Sequence, residues 1–229
     1  MATTSSLKKP FSILLEGNIG SGKSSLLKLL SEIPGVIVFT EPVSDWINVA
    51  GFNLLEKFYS NPELYSFTFQ IHVFNTLLKR ELNDNLHSPP KCRILDRSIL
   101  SSFNCFSKLS HKNGYLTNLE FKILEDYYNL TRVMTDFKYE TIIYLKTDPE
   151  TSFQRLKVRS RKEEGTVPLI YLQELHTIHE EWINSDQLKL FNIITVDGNL
   201  DLERLKGEVL PELKSRISAL IENKSKDDI

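Results

Sequence analysis

A glycine-rich segment that ends in lysine and serine carries the clearest chemistry in the sequence. It reads GNIGSGKS over residues 17–24, between the apolar stretch FSILLE and the amphipathic stretch SLLKLL. Glycines allow the turns that bring successive backbone N–H groups onto phosphate oxygens, and the following helix points its positive end at the same anion. Lys23 can reach the outer phosphates, and the Ser24 hydroxyl can bind magnesium. The segment predicts a P-loop for a nucleoside triphosphate, formed by Gly17, Asn18, Ile19, Gly20, Ser21, Gly22, Lys23, Ser24 and Ser25.

Two further apolar segments end at acidic residues. Residues 36–40 (VIVFT) precede Glu41, and residues 92–96 (CRILD) end at Asp96, which Arg97 follows. The carboxyl ends of parallel strands meet at the sheet edge where α/β proteins bind ligands, so both carboxylates are predicted to lie near the P-loop. Asp96 is then placed to hold magnesium, and Arg97 to bind a phosphate or a substrate hydroxyl. The alternatives are a loop or capping role for Glu41 and a structural ion pair of Asp96 with Arg97.

An arginine-rich segment, QRLKVRSRKEEG, follows the fourth apolar segment. Arg155 and Arg159 share a helix face, and Arg161 follows shortly after, so the three can converge on one anion. A solvated charged face is the alternative for any run of this kind. In a chain that binds a triphosphate, the pattern favours a mobile lid whose arginines stabilise the transferring phosphoryl group. His176 and His179 have no third ligand nearby in the sequence, so packing or surface roles are expected for them.

Apolar segments alternate with helical patterns along the chain. The predicted strands are residues 11–16, 36–40, 92–96, 141–145 and 191–196, and the predicted helices include a long one from Asn61 to about Leu86 and a closing one from Leu200 to Ile221. This order predicts the α/β class, with a five-stranded parallel sheet covered by helices on both faces. We expect one domain at residues 10–221, a short flexible leader at residues 1–9, and a charged, frayed tail at residues 222–229.

Composition limits the partners and the compartment. The formal charge of −2 over 229 residues gives no overall attraction to nucleic acid or to anionic membranes, and no apolar run is long enough to span a bilayer. Cys92 and Cys105 lack the spacing of a metal site or a disulfide framework, which favours a reducing compartment. The first ten residues contain neither a hydrophobic signal segment nor an arginine. We therefore expect a cytoplasmic protein, with the nucleus as an alternative.

Taken together, the motifs resemble those of the deoxynucleoside kinases. The segments that carry the resemblance are EGNIGSGKS, EPVSDW, SFTFQ, DRS, RSRKEEG and VPLIYLQELHTIHEEW, which occur in this order across most of the chain. The resemblance implies a P-loop kinase fold with an arginine-rich lid, and transfer of the γ-phosphate of ATP, with Mg²⁺, to the 5′-hydroxyl of a 2′-deoxyribonucleoside. It also implies a homodimer formed through the helices of the long hairpin.

The resemblance further implies roles for individual residues. Glu41 is similar to the family's general base, Arg97 to the arginine that contacts the 5′-hydroxyl, and Gln70 to the amide that pairs with the base. Tyr59 and Glu164 are similar to the pair that holds the 3′-hydroxyl. Aromatic residues at helical spacing, such as Phe69, are typical of a core. The resemblance implies that some of them instead form a wall of the substrate site. The implied substrate residues are Glu41, Trp46, Tyr59, Phe69, Gln70, Leu77, Arg97, Ser102, Phe106 and Glu164, and the implied phosphate-binding arginines are Arg159, Arg161 and, as a third candidate, Arg155.

Two departures from the family pattern concern the magnesium site and the preferred nucleobase. Asp96 stands where the cellular enzymes carry glutamate, so its shorter side chain is expected to reach magnesium through water. The same Asp-Arg pair also resembles thymidylate kinases and herpesviral thymidine kinases. Ser102 lacks the carboxylate, and Leu77 the arginine, of the polar pocket that takes cytosine or purines. An apolar leucine beside a small serine leaves room for a thymine methyl group, which favours pyrimidine deoxynucleosides.

Two other functions remain open from the sequence. A thymidylate-type nucleoside-monophosphate kinase requires a cationic acceptor site, and the charge of Glu41 would repel the acceptor phosphate. A non-catalytic nucleotide-binding protein has no use for the acceptor residues Glu41, Gln70, Arg97 and Glu164.

Overall fold

The computed structural model describes residues 11–82, 92–135 and 139–226. Within these residues, five parallel strands form one sheet in the order β2-β3-β1-β4-β5. The strands are β1 (Phe11–Glu16), β2 (Val36–Phe39), β3 (Cys92–Asp96), β4 (Tyr139–Lys146) and β5 (Asn192–Asp197). All five predicted strands are confirmed, with β4 longer at both ends than its apolar centre indicated.

Strand order and register bring the predicted motifs to one edge of the sheet. Leu15 of β1 pairs with Asp96 of β3, and Phe39 of β2 pairs with Leu95 of β3. The chain therefore leaves β1, β2 and β3 side by side, and the P-loop, Glu41 and Arg97 are the segments that follow. This juxtaposition is the expected consequence of parallel strands whose carboxyl ends share an edge.

Helices cover both faces of the sheet, as predicted. They are α1 (Lys23–Leu30), α2 (Val43–Ile47), α3 (Leu54–Ser60), α4 (Pro62–Leu82), α5 (residues 99–112), α6 (Asn118–Thr135), α7 (Pro149–Arg159), α8 (Leu169–Ile183) and α9 (residues 202–226). The two helices α5 and α9 each contain a π-helical turn, at Ser102–Ser107 and Leu205–Val209. In the part of the chain that is described, no helix is both long and apolar enough to cross a membrane.

The core has two layers because side chains alternate along each strand. Leu14, Leu95 and Ile142 belong to one apolar cluster, which α3, α4, α5, α6 and α8 complete. Their strand neighbours Ile13 and Ile94 belong to a second cluster, which α1 and α9 complete. Each fully buried aliphatic side chain contributes roughly 1.5–3 kcal/mol, so the sheet is held from both sides.

One helix end differs from the sequence prediction, and one predicted end lies outside the described residues. The described part of α4 ends at Leu82, and its predicted continuation to Leu86 lies outside the described residues, as does the leader at residues 1–9. The closing helix continues beyond Ile221 to Lys226, so the predicted tail begins as helix. Asp148 does not cap α7 with its side chain; Pro149, whose fixed φ already suits a helix, occupies the first position.

Glu81, near the end of α4, is a buried carboxyl group with an altered pKa. Neither of its carboxylate oxygens has a hydrogen-bond partner among the described residues. Burial raises its pKa from the ordinary 4.5 to about 7, against the attraction of Arg80 and Arg93. A carboxyl group whose pKa is higher in the folded state favours folding below its unfolded pKa, and this contribution is lost as pH rises through the folded pKa.

We therefore expect Glu81→Gln to raise the free energy of unfolding, relative to the wild type, by about 1–3 kcal/mol more at about pH 8 than at about pH 5. Glutamine keeps the size of the side chain and has no proton to lose in this range. Urea denaturation of both proteins at the two pH values measures the difference. The same effect at both pH values would contradict a protonated Glu81 in the folded protein.

Candidate active site

A cleft of about 850 Å³ opens at the sheet edge where the strand-end motifs meet. Among its lining residues are twenty that the sequence analysis predicted for the site: Ile19, Gly20, Ser21, Gly22, Lys23, Ser24, Ser25, Glu41, Trp46, Tyr59, Phe69, Gln70, Asp96, Arg97, Ser102, Phe106, Arg155, Arg159, Arg161 and Glu164. Three predicted residues, Gly17, Asn18 and Leu77, do not line it. One cleft thus contains the P-loop, the strand-end carboxylates, the aromatic wall and the lid arginines.

The P-loop wraps around its own lysine. Gly22 has a φ of +103° at the start of α1, and a Cβ on Gly20 would lie 2.6 Å from the carbonyl oxygen of Ser152, so both positions favour glycine. Lys23 is buried and donates to the carbonyl oxygens of Gly17 at 3.1 Å and Asn18 at 2.9 Å. Gly17 and Asn18 therefore contact the Lys23 ammonium through their carbonyl oxygens without lining the cleft themselves. The residues from Ile19 to Ser25 line it.

Glu41 and Arg97 form an ion pair inside the cleft. Arg97 Nε donates to Glu41 Oε1, and the guanidinium lies 4.2 Å from the centre of the Phe106 ring. Burial raises the pKa of Glu41, but the charges of Arg97 and Lys23 outweigh it and leave the pKa below its usual value. Glu41 is therefore an ionised acceptor that lines the cleft, and Arg97 pairs with it and not with Asp96, contrary to the alternative of an Asp96–Arg97 pair.

Arg97 is held in an unusual backbone conformation. Its φ is +62°, in the left-handed region that non-glycine residues seldom occupy. Its N–H donates to the carbonyl oxygen of Leu15 at 3.0 Å, and its Nη1 has no hydrogen-bond partner among the described residues. Burial lowers the pKa of Arg97, but Glu41 and Glu16 outweigh this effect and raise it. Glu41 thus binds Nε, whereas Nη1 is a buried donor that no described residue satisfies.

Glu16 is a third strand-end carboxyl group, which the sequence analysis missed. It ends β1, is fully buried, and accepts a hydrogen bond of 2.5 Å from Ser98 Oγ. Burial raises its pKa to about 7, against the charges of Arg97 and Lys23. The rule that identified Glu41 and Asp96, an acidic residue at the end of an apolar strand, also applies to Glu16.

Asp96 has the properties of a cation ligand. It is buried, and its Oδ1 has no hydrogen-bond partner within the described ranges. Burial raises its pKa to about 6, and Glu41 adds to this, while Lys23 and Arg97 oppose it. Ser24 lines the same cleft and is exposed. An orphaned carboxylate oxygen near a P-loop hydroxyl fits magnesium, which binds one or two carboxylates and completes its shell with phosphates and water.

The two histidines of α8 do not form a metal site. His179 is fully buried, its Nδ1 lies 2.7 Å from the carbonyl oxygen of Leu175, and its ring meets Phe106 edge to face at 5.9 Å between ring centres. Burial lowers its pKa to about 3, so the ring is neutral. No group of three or more His, Cys, Asp or Glu residues suited to a metal occurs in the described part of the chain. The predicted packing role of His179 is confirmed.

Aromatic side chains form one side of the cleft, the aromatic wall. Phe58 stacks on Phe69 with 4.5 Å between ring centres, and Trp46 meets Phe69 edge to face at 5.8 Å. Gln70 is buried in this wall, and Ser107 Oγ donates to its Oε1 at 3.4 Å. The amide therefore has the buried partner that its apolar neighbours require.

The position of Leu77 differs from the prediction. Its side chain is fully buried in the apolar cluster and does not line the cleft. Val73, one turn earlier on α4 and one turn after Gln70, lines the cleft instead. Residues three and four apart share a helix face, but two turns along α4 the helix has passed beyond the cleft.

The lid arginines contact protein groups in this structure. Arg159 Nη2 donates to Glu164 Oε2, and Arg161 Nη1 donates to Glu164 Oε1 at 2.7 Å. Arg155 also lines the cleft, and its guanidinium donates to the carbonyl oxygens of Ser21 at 2.9 Å, Gly198 at 2.6 Å and Leu200 at 3.0 Å. It ties the P-loop to the loop after β5.

Most of the lining residues that sequence reasoning missed fall into two groups, and the others are Thr40, Leu145, Gln154 and Val158. Beside the predicted aromatic residues, Phe58 and the aliphatic residues Val43, Leu55 and Val73 also line the cleft. The loop and helix after β5 supply Gly198, Leu200, Asp201, Leu202 and Leu205. A signal for the second group was present, because this loop follows a parallel strand at the ligand-binding edge of the sheet.

Comparison with known proteins agrees with the geometry. The family model described as deoxynucleoside kinase matches residues 13–222. Human mitochondrial thymidine kinase 2 is 34% identical over 207 residues, which cover 90% of this chain and 77% of the relative. The fowlpox virus protein named "Probable deoxycytidine kinase" is 36% identical over 213 residues (91% and 88%), and human deoxycytidine kinase is 30% identical over 237 residues (91% of each chain). The chain belongs to the deoxynucleoside kinase family.

Proposed function

We propose that this protein transfers the γ-phosphate of ATP to the 5′-hydroxyl of a 2′-deoxyribonucleoside, a step of nucleotide salvage. The observation that carries the proposal is the Glu41–Arg97 pair, which lies in one cleft with the P-loop and the aromatic wall. Membership of the deoxynucleoside kinase family supports the same reaction. An ionised carboxylate beside an arginine is the pair of groups that a sugar hydroxyl needs in order to become a nucleophile.

The acceptor side follows from the contacts of these groups. Glu41 accepts the proton of the 5′-hydroxyl as the hydroxyl oxygen attacks the γ-phosphorus, the bond from that phosphorus to the β–γ bridging oxygen breaks, and ADP leaves. The guanidinium of Arg97, which lines the cleft, holds the attacking oxygen in place. Tyr59, Glu164 and Gln70 line the cleft, which supports assigning the first two to the 3′-hydroxyl and Gln70 to the base. Binding of both ends of the nucleoside fixes the attacking oxygen, and such positioning supplies much of the rate enhancement.

On the donor side, the N–H groups of the P-loop and the Lys23 ammonium hold the phosphates, and Arg159 and Arg161 close over them. Ser24 and Asp96 are the residues that would hold Mg²⁺, which when bound neutralises charge on the β- and γ-phosphates. The unpartnered Oδ1 of Asp96 supports this assignment.

Thymidine and thymidylate offered separately with labelled ATP test the reaction. The charge of Glu41 in the acceptor part of the cleft favours an uncharged hydroxyl over a phosphate. Phosphorylation of thymidine supports the proposal. Phosphorylation of thymidylate alone would overturn it in favour of a nucleoside-monophosphate kinase.

We expect kcat/KM to be at least about tenfold higher for thymidine than for deoxyadenosine and deoxyguanosine. Ser102 and Val73 line the cleft, and neither carries a charged group that could hydrogen-bond to the polar edge of a purine. Steady-state assays of the four deoxynucleosides at a fixed ATP concentration measure the ratio. A purine deoxynucleoside with a kcat/KM equal to or above that of thymidine would contradict this preference.

We also propose a homodimer formed through α6. Leu119, Ile123, Leu130 and Val133 of this helix are exposed, which is unusual for so many large apolar side chains on one helix. On the opposite side α6 packs against α4, so a dimer would join two long helices from each protomer. Light scattering of the purified protein measures the mass, and a monomer would overturn the proposal.

For the location, we propose a reducing compartment, with the cytoplasm as the expected one. Cys92 and Cys105 are both buried free thiols, which fits a reducing environment. Fractionation of expressing cells tests the location, and recovery in organelles would contradict it.

A further inference from the structure

Arg80, in the last turn of α4, joins the ends of two strands. Its Nη1 donates to the carbonyl oxygens of Thr40 at 3.2 Å and Asp96 at 2.7 Å, and its Nη2 donates to the carbonyl oxygen of Arg97 at 2.6 Å. The side chain is 8% exposed, so water competes little for these bonds. One rigid guanidinium therefore spans β2 and β3 at the point where both enter the cleft.

The three carbonyl groups belong to the backbone that carries the acceptor chemistry. Thr40 immediately precedes Glu41, and the other two are the carbonyls of Asp96 and Arg97 themselves. Arg97 also has its φ at +62°, a conformation that persists only where surrounding contacts over-determine it. Arg80 supplies one of these contacts.

We propose that Arg80 is a positioning residue: its guanidinium sets the distance between the strand ends that carry Glu41 and Arg97, and thereby the geometry of the acceptor site. This inference rests on the proposed kinase function. Arg80 does not line the cleft, so it acts through Glu41 and Arg97 and not on the substrate. The planar fork matters because its donors have fixed directions, which a lysine cannot reproduce.

Arg80 also contributes its charge to the site. It lowers the pKa of Glu41 and that of Asp96, although burial, Arg97 and Lys23 have larger effects on Glu41. Besides Glu41 and Asp96, the carboxyl groups that act on Arg80 are Glu81, whose Oε1 lies 4.0 Å from Nη2, and Glu16 of β1. The geometric and the electrostatic contribution of Arg80 can thus be separated, because Arg80→Lys keeps the positive charge and loses the planar guanidinium.

The test uses the full chain with Arg80→Met, Arg80→Lys and the matched control Lys79→Met, which removes an exposed charge from the preceding residue of α4. Steady-state kinetics with thymidine and ATP are measured from acid to neutral pH, together with ATP affinity and thermal stability. We expect Arg80→Met to lower kcat by about 10- to 100-fold, with ATP affinity within about threefold of the wild type. Lys79→Met should leave both unchanged.

The two Arg80 variants separate geometry from charge. Arg80→Lys should also lower kcat, but only Arg80→Met should move the acid limb of the pH profile of kcat upward, since it alone removes the charge that lowers the pKa of Glu41. A melting temperature that falls while kcat of the folded protein stays at the wild-type value would overturn the proposal, because Arg80 would then act only on stability. If Arg80→Met does not fold, the kcat of Arg80→Lys decides on the same criterion. A wild-type protein that phosphorylates no deoxynucleoside overturns the proposed function, and the role of Arg80 with it.

Discussion

Glu41→Gln is expected to lower kcat by about 10²- to 10⁴-fold, the usual contribution of a general base. Glutamine has nearly the same shape and can still accept a hydrogen bond from Arg97 Nε, so the pair keeps its geometry and loses only the basic oxygen. ATP affinity should be retained, because the P-loop and its lysine hold the triphosphate independently of Glu41. Steady-state kinetics with thymidine, together with calorimetric titration of ATP, measure both quantities.

Asp45→Asn is the matched control for this experiment. It removes an exposed carboxylate from α2, the helix that follows Glu41, and it should leave kcat unchanged. Unaltered turnover in Glu41→Gln would exclude the general-base role. Absence of turnover in the wild-type protein with retained ATP binding would favour the non-catalytic nucleotide-binding alternative.

The contacts of Arg97 explain why Glu41 is ready to act as a base. Three strand ends place Glu16, Glu41 and Asp96 near one buried guanidinium, and Arg97 and Lys23 offset part of the cost of burying these carboxyl groups. The balance differs among them: the pKa of Glu41 is lowered, whereas those of Glu16 and Asp96 are raised to about 7 and about 6. Direct pairing with Arg97 separates Glu41 from the other two.

Strand-end residues were predictable from the sequence because their position depends on local pattern and on one topological rule. An apolar run of strand length followed by an acidic residue predicted the location of Glu41 and Asp96, and the parallel sheet brings them together without knowledge of any other contact. The P-loop was predictable for the same reason, since its glycines, lysine and serine are contiguous.

Helix-borne residues were less predictable, because their contacts depend on where each helix face points in the folded chain. Leu77 and Val73 are one turn apart on α4, yet only Val73 lines the cleft. The sequence does not indicate that Arg155 and Arg80 link separate segments of the chain. Their partners are backbone carbonyl oxygens of residues distant in sequence. A carbonyl acceptor exists at every position and leaves no trace in the sequence.

The double variant Arg159→Met/Arg161→Met is expected to lower kcat by about 10³- to 10⁵-fold, the range found for arginines that stabilise a transferring phosphoryl group. Both guanidinium groups are bound to Glu164 in this structure. We expect phosphates that enter the cleft to compete with Glu164 for the two arginines, and the released carboxylate to become available to a sugar hydroxyl. On this hypothesis, binding of the donor phosphates frees Glu164 for the acceptor.

Kinetics at saturating ATP and thymidine measure the loss, and titration of thymidine without ATP shows whether the acceptor site is intact. Nucleoside affinity in the double variant should be at least that of the wild type, because Glu164 is already free of its arginine partners there. Lys162→Met is the matched control: it removes a charge from the same lid segment, but the Lys162 side chain is 82% exposed and its ammonium lies 3.4 Å from Glu56 Oε1. A kcat of the double variant within about tenfold of the wild type would show that the pairing with Glu164 is structural, since removing arginines that stabilise the phosphoryl group costs far more than this.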